Sequence, residues 1–255
     1  MAEIQTIHNH LKALGIKKGD VLFVHSSFKS LGPIDGGAET FFKALLSYIG
    51  EEGTLVFPAF TFAEVTLENP VCSMKHSKSA VGYLSEYFRT QIDGVKRSCH
   101  ATHSCCVWGK HRDFLIQDHE KDTYAVGKNS PIYKIQNLGG KILFLGCSTD
   151  RNTAMHGVER LYGEVPFSTP YKGVYTIETQ TGEKISQTLS RGAFVVDGVE
   201  YAQKYSRLEN VLNATETQKG KILQADCVVM DSKAVWEKGL QTMQKDVYYF
   251  VERIQ

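Results

Sequence analysis

Proline is scarce in this chain, with six in 255 residues and none clustered. No proline-rich spacer therefore divides it, and there is no repeat or low-complexity stretch that would mark a linker. Charge of one sign is also missing. There are 29 basic and 28 acidic residues, a net +1, whereas a nucleic-acid binder would carry a basic excess. No apolar run reaches the roughly 18 residues that a membrane helix needs. The opening segment, MAEIQTIHNHLKALGIKKGD, lacks the charged-then-apolar order and small-residue cleavage site of a secretory signal. A cytoplasmic protein, without nucleic acid or membrane as partner, is the expectation.

Several motifs are absent too. Six cysteines occur, at 72, 99, 105, 106, 147 and 227, and no two form a CxxC pair. Free thiols are the better reading in a cytoplasmic chain. No GxxxxGK[ST] or GxGxxG supports a nucleotide fold, and no GxSxG surrounds a serine as in the hydrolase elbow.

What is present is an ordinary globular balance, 42% hydrophobic and 22% charged, enough for a substantial core. Ile4, Ile7, Leu11 and Leu14 have helical spacing. Val21–Val24, Thr54–Phe57 and Lys141–Leu145 read as short buried strands. Ala38–Ile49, Val81–Arg89 and Thr153–Tyr162 read as helices. Strands alternating with helices predict an α/β fold, with a mostly parallel central sheet covered by helices on both faces. The second half differs. Tyr171–Leu189 reads as a hairpin around Thr181-Gly182, Ala193–Val196 and Cys227–Met230 as strands. Asp231 or Ser232 can cap a last helix running to about Asp246. We expect one compact unit over 1–255, an α/β part to about 165 and a smaller antiparallel part over about 166–255.

In such sheets ligands bind beyond the C-terminal ends of the strands. The loops there are His25-Ser26-Ser27, Pro58–Thr61 and Cys147–Asn152. His156 and Glu159 lie three apart and so share a helix face, with Thr153 on the same side. Imidazole ionises near neutrality, so a histidine at the start of such a helix suits a general base, steadied by a carboxylate. A surface ion pair fits the same spacing equally well. In the run Arg97–Cys106, two histidines and three cysteines raise a soft-metal site or a catalytic thiol. The spacing matches no usual zinc pattern, and a ligand-lining loop needs only hydrogen-bonding groups. Tyr248-Tyr249-Phe250 reads as core or edge packing.

Taken in order, five segments resemble the aminoglycoside 3-N-acetyltransferase family. They are Gly19–Ser27 with Leu31-Gly32; Gly53–Pro58 with Thr61-Phe62; Arg97-Ser98 with His100 and Thr102–Ser104; Gly127 with Ser130-Pro131; and Thr153–Glu159. The resemblance spans about residues 10–165. It departs at Ala101, where the family often has proline, and at the neighbouring Cys99, Cys105 and Cys106.

The resemblance implies acetyl-coenzyme A as donor, direct transfer without an acyl-enzyme, and no metal. It implies His156 as the catalytic histidine, with Glu159 the acidic residue of its motif. It also implies a coenzyme A site that includes His25, Ser26, Ser27, Ser30, Leu31 and Gly32. Thr102 and Ser104 are counted with that cofactor-binding set; their hydroxyls, or amides of the Ser26-Ser27 loop, are candidates to steady an oxyanion, and Thr153 to meet substrate. Lys29, Lys75 or Lys78 are candidates for the cofactor phosphates. The expected activity is N-acetylation of an aminoglycoside or related amino sugar by a monomer or homodimer, with antibiotic resistance as its role. A polycationic acceptor calls for an acidic site, yet the only acidic clusters are Glu51-Glu52 and the mixed run Asp118–Asp122. An amino sugar of polysaccharide or natural-product synthesis is the alternative acceptor. Other classes are a metal-dependent hydrolase built on Cys99, His100, His103 and Cys106, and a non-catalytic binding relative.

Overall fold

The computed structural model describes residues 2–254. The chain begins with α1 (Ala2–Ala13), β1 (Val21–Ser26), α2 (Gly37–Ile49), β2 (Thr54–Pro58), β3 (Val71–Ser73) and α3 (Tyr83–Gln91). There follow β4 (Lys96–Arg97), β5 (Cys105–Gly109), α4 (Arg112–Ile116), α5 (Pro131–Lys134), β6 (Lys141–Leu145) and α6 (Ala154–Tyr162). The remainder is β7 (Thr169–Glu178), β8 (Lys184–Ala193), β9 (Val195–Val196), β10 (Val199–Gln203), β11 (Thr217–Ile222), β12 (Ala225–Asp231), α7 (Ser232–Lys245) and β13 (Val251–Arg253).

Seven strands form the main sheet in the order β11-β12-β6-β1-β2-β5-β4. The central pairs, β6 with β1 and β1 with β2, are parallel, and the outer pairs are antiparallel. Five strands (β11, β6, β1, β2, β4) thus point one way and two (β12, β5) the other. Two small sheets, β3-β7-β8 and β13-β10-β9, complete the fold.

The central strands read as continuous apolar runs because both faces of the sheet are covered. Side chains alternate across it. Phe23, Val56, Ile142 and Phe144 enter one core, while Leu22, Val24, Leu55, Phe57, Leu143 and Leu145 enter the other. α1, α2 and α3 cover the second face through residues such as Leu11, Phe42 and Phe88. α6 and α7 cover the first through Met155, Val158, Val235 and Trp236. These two helices meet at Gly157. A Cβ there would stand 2.0 Å from the Trp236 ring, so only glycine permits so close a crossing. The α7 start follows its cap, with Asp231 Oδ1 accepting from the Ala234 amide at 2.8 Å.

Two features differ from the sequence reading. Cys105 and Cys106 open the strand β5 and are buried, where the sequence reading placed the end of a ligand-lining loop. Cysteine behaves as a small hydrophobe, and Cys105 and Cys106 point into opposite cores. The C-terminal strands β11 and β12 join the main sheet beside β6, so a division near residue 165 is one of sequence and not of the sheet. Among the described residues, no helix is long and apolar enough to cross a membrane.

Candidate functional site

Three loops follow the carboxyl ends of the parallel strands β1, β2 and β6. The sheet topology brings them to one edge, where they wall a cleft of about 470 Å³. His25 and Ser26 come from the last two positions of β1, Pro58 from the end of β2 with Phe60 and Phe62 from the loop after it, and Cys147 with Asp150–Thr153 from the loop after β6. A second hollow, of about 730 Å³, continues beyond α6 between Tyr124, Glu164, Arg191 and Phe194. Phe62, His103, His156 and Gln203 line both, so the two lobes meet at a neck bounded by those side chains.

His156 occupies that neck because α6 starts directly after the β6 loop, with Asn152 Oδ1 accepting from the Ala154 amide. One turn on, Glu159 Oε2 lies 3.3 Å from His156 Nδ1. A carboxylate only accepts, so in the neutral ring the proton sits on Nδ1 and Nε2 carries the lone pair. Glu159 Oε1 accepts a 2.6 Å hydrogen bond from the Tyr205 hydroxyl. Tyr205 is buried, and burial together with the Glu159 charge raises its phenol well above the usual range. It therefore stays a donor. Its turn, residues 205–210, is tied to the β6 loop. Thr149 Oγ1 donates to Glu209 Oε1 at 2.5 Å, and the Ser206 amide donates to Asp150 Oδ1 at 2.8 Å. Tyr205, 49 residues from His156, and Gln203 just before it escaped the sequence reading because only these tertiary contacts bring them to the site, with no local motif to announce them.

The remaining expected residues divide. His25 lies between Phe23 and Phe144, with ring centroids 4.6 and 5.2 Å away, and burial pushes it down to about 3. It lines the first lobe as a neutral ring. Its Nε2, Ser26 Oγ and Asn152 Nδ2 are all buried without a partner among the described residues, and all three residues line the first lobe. Thr153 lines the same lobe. Ser27 and Ser30 stand behind it: the Ser27 amide donates to the Leu145 carbonyl, and Ser30 Oγ lies 2.8 Å from the Gly146 oxygen. Leu31 is core, and Gly32 packs on the Gln224 side chain. Thr102 and Ser104 are fully buried. The Thr102 hydroxyl bonds His103 Nδ1, and the Ser104 hydroxyl donates to the Ala59 carbonyl. Lys29, Lys75 and Lys78 are exposed and line neither lobe. The cations that do are Arg151 in the first and Arg160 and Arg191 in the second.

The cysteine-histidine run does not converge on a metal site. Cys105 and Cys106 face opposite cores, and Cys99 packs against a third cluster, under β7 and β8. Among the described residues no group of three or more His, Cys, Asp or Glu is placed to hold a metal ion. Burial lifts the Cys99 and Cys106 thiols to about 12. Cys147, a thiol that lines the first lobe, is lifted to about 11 by the same cause.

Comparison with known proteins follows this geometry. The family model described as aminoglycoside 3-N-acetyltransferase matches residues 23–244. An aminoglycoside N(3)-acetyltransferase III of Acinetobacter baumannii is 29% identical over 267 positions, covering 94% of this chain and 91% of its own. A prophage-derived aminoglycoside N(3')-acetyltransferase-like protein of Bacillus subtilis, YokD, is 29% identical over 226, covering 80% of this chain and 75% of its own. Among solved structures, the AAC-IIIb binary complex with CoASH superposes with a TM-score of 0.79 at 23% identity, covering 95% of this chain and 96% of that one.

Proposed function

Since the chain belongs to the aminoglycoside 3-N-acetyltransferase family, a family of acetyl-transferring enzymes, we propose that it moves acetyl directly from acetyl-coenzyme A to an amine of an aminoglycoside or related amino sugar, with His156 as general base. The observation that carries this reading is the chain of contacts from Tyr205 to Glu159 to His156, set at the neck where two lobes meet.

The donor fits the first lobe. Buried polar atoms normally have partners, and the orphaned His25 Nε2, Ser26 Oγ and Asn152 Nδ2 match the amides and hydroxyl of a pantetheine arm. Arg151 is the lobe's cation for a phosphate. When bound, acetyl-coenzyme A supplies an activated thioester. The family relative crystallised with CoASH supports this donor.

The acceptor amine, once its ammonium has lost one proton to solvent, attacks the thioester carbon from the second lobe. His156 Nε2 takes the amine's remaining surplus proton as the C–N bond forms. Glu159 stabilises the resulting imidazolium, and Tyr205 holds Glu159 in place. The C–S bond then breaks and the proton passes from His156 to the departing sulfur. Direct transfer is supported by the state of Cys147, whose half-buried thiol is pushed up to about 11, stays protonated at neutral pH and is a poor nucleophile. The second lobe sets Glu159 and Glu164 against Arg160 and Arg191. It is charge-balanced, which suits an amino sugar of modest charge as well as an antibiotic. We take the protein as one catalytic unit over 1–255, cytoplasmic, and a monomer or homodimer.

Free-thiol release from acetyl-coenzyme A, measured with a panel of aminoglycosides and simple amino sugars, tests this reading. Amine-dependent release is expected. A folded protein that neither binds coenzyme A nor releases thiol with any amine overturns it.

A further inference from the structure

The reaction needs a hydrogen-bond donor for the thioester carbonyl oxygen, and three groups first suggested for that role, the Ser27 amide and the Thr102 and Ser104 hydroxyls, are engaged elsewhere, as are the neighbouring amides. The Ser27 amide is held by Leu145. The amides of Ala101, Thr102 and His103 donate to Gln187 Oε1 and His100 Nδ1. The Ser104 hydroxyl donates to Ala59. Resting on the reaction just proposed, we infer that His103 is a further catalytic residue, whose Nε2–H donates to the carbonyl oxygen as it becomes an oxyanion.

Three observations place it there. His103 faces His156 across the neck, with ring centroids 6.5 Å apart and planes at 78°. It lines both lobes, so a carbonyl entering from one and an amine from the other meet beside it. Its tautomer follows from Thr102. That hydroxyl is fully buried, and among the described residues its one hydrogen-bond partner is His103 Nδ1, at 2.9 Å. Donating to Nδ1 is what satisfies the buried hydroxyl proton, and that places the ring's own proton on Nε2.

Phe60 and Phe62 pack against the ring, with centroids 4.9 and 5.6 Å away. The ring stays neutral, because burial, with the His100, His156 and Arg191 charges, lowers its basicity well below the usual value. A neutral donor stabilises an oxyanion without giving up its proton, as the neutral imidazole of triosephosphate isomerase does. His103 and His156 are thus imidazoles of opposite tautomer facing one another. One presents N–H to the oxygen and the other a lone pair to the amine. As the amine nitrogen bonds to the carbon, the C=O electron pair moves to oxygen and is held by Nε2–H. It returns as the C–S bond breaks, and His103 neither gains nor loses a proton.

The experiment compares wild type with His103→Phe and His103→Gln. The first keeps an aromatic filler without a donor, and the second keeps an N–H. Thiol release from acetyl-coenzyme A is read with the amine panel and with water alone, since an oxyanion forms in either case. Melting temperature and coenzyme A affinity report on the fold. Removal of one such donor costs about 10²–10³ in kcat. That loss is expected in His103→Phe with coenzyme A affinity retained, and His103→Gln should recover part of it. Imidazole ¹⁵N spectra of the wild type should show the His103 proton on Nε2. Folded His103→Phe with undiminished kcat, or a proton found on Nδ1, overturns the assignment alone. A wild type that releases no thiol to any amine or to water overturns the proposed reaction and this assignment with it.

Discussion

Tyr205→Phe isolates one atom of the site. Tyrosine and phenylalanine have the same shape, so no cavity opens, and the change removes the 2.6 Å hydrogen bond to Glu159 Oε1 together with the longer, 3.4 Å contact of the same hydroxyl with His156 Nδ1. Hydrogen bonds to charged groups contribute about 1.5–3 kcal/mol. The Glu159 side chain is 11% exposed, so water can replace part of the lost bond, which favours the lower half of that range, about 1.5–2 kcal/mol. For a chain of this size each kcal/mol moves the melting temperature by about 2–4 °C, so a fall of roughly 3–8 °C is expected. Activity should suffer separately. Without Tyr205 the carboxylate is free to rotate away from His156 Nδ1, and about 1.4 kcal/mol of lost orientation is a tenfold loss in kcat. Scanning calorimetry and thiol-release kinetics read the two effects, with KM for acetyl-coenzyme A expected to stay nearly constant. A cycle with Glu159→Gln should show coupling of at least about 0.5 kcal/mol, as for residues in one network. A Tyr205→Phe enzyme with wild-type melting temperature and kcat would refute the chain of contacts as a functional unit.

Three further outcomes are expected. His156→Ala should fold and bind coenzyme A normally while losing a factor on the order of 100 or more in turnover; full activity in the thiol assay would remove His156 from the mechanism. Acid should destabilise the protein early. Burial depresses His25 to about 3 and His100 to about 4, so the unfolded chain binds more protons below its own value of about 6.5. Stability is complete above that pH and falls at up to about 1.4 kcal/mol per pH unit per histidine as pH drops toward 4. Thermal melts between those pH values check this, and a flat profile contradicts it. Gly157→Ala should cost about 1–3 kcal/mol or more by overpacking, because its methyl meets the buried Trp236 ring at 2.0 Å. Denaturant titration reads it, and an unchanged midpoint would show that α6 and α7 do not pack as described.

Much of the site was legible because its parts are local. Buried strands ending in polar loops, with His156 three residues before Glu159, are patterns within a few residues, and the rule for open α/β sheets sends such loops to one edge. The orientation of Thr102 and Ser104 was not legible, for the opposite reason. A hydroxyl in a loop has no periodicity to say which way it points, and the packing of Ala59 and His103 turned both inward. His103 is one of four ligands in the alternative metal-site reading, which weakens once the alternation of β5 sends Cys105 and Cys106 to opposite faces.

The sequence by itself determined the α/β class, the three strand-end loops, and the spacing that puts His156 and Glu159 on one face of α6. Those features rest on hydrogen bonds and side-chain periods that repeat within a turn or a strand. Only the tertiary structure decided that β12 pairs with β6, that Tyr205 reaches Glu159 across 46 residues, and that His103 stands opposite His156. Each of those depends on burying apolar faces between distant segments, and many pairings of the same strands satisfy the local pattern until the whole core is packed.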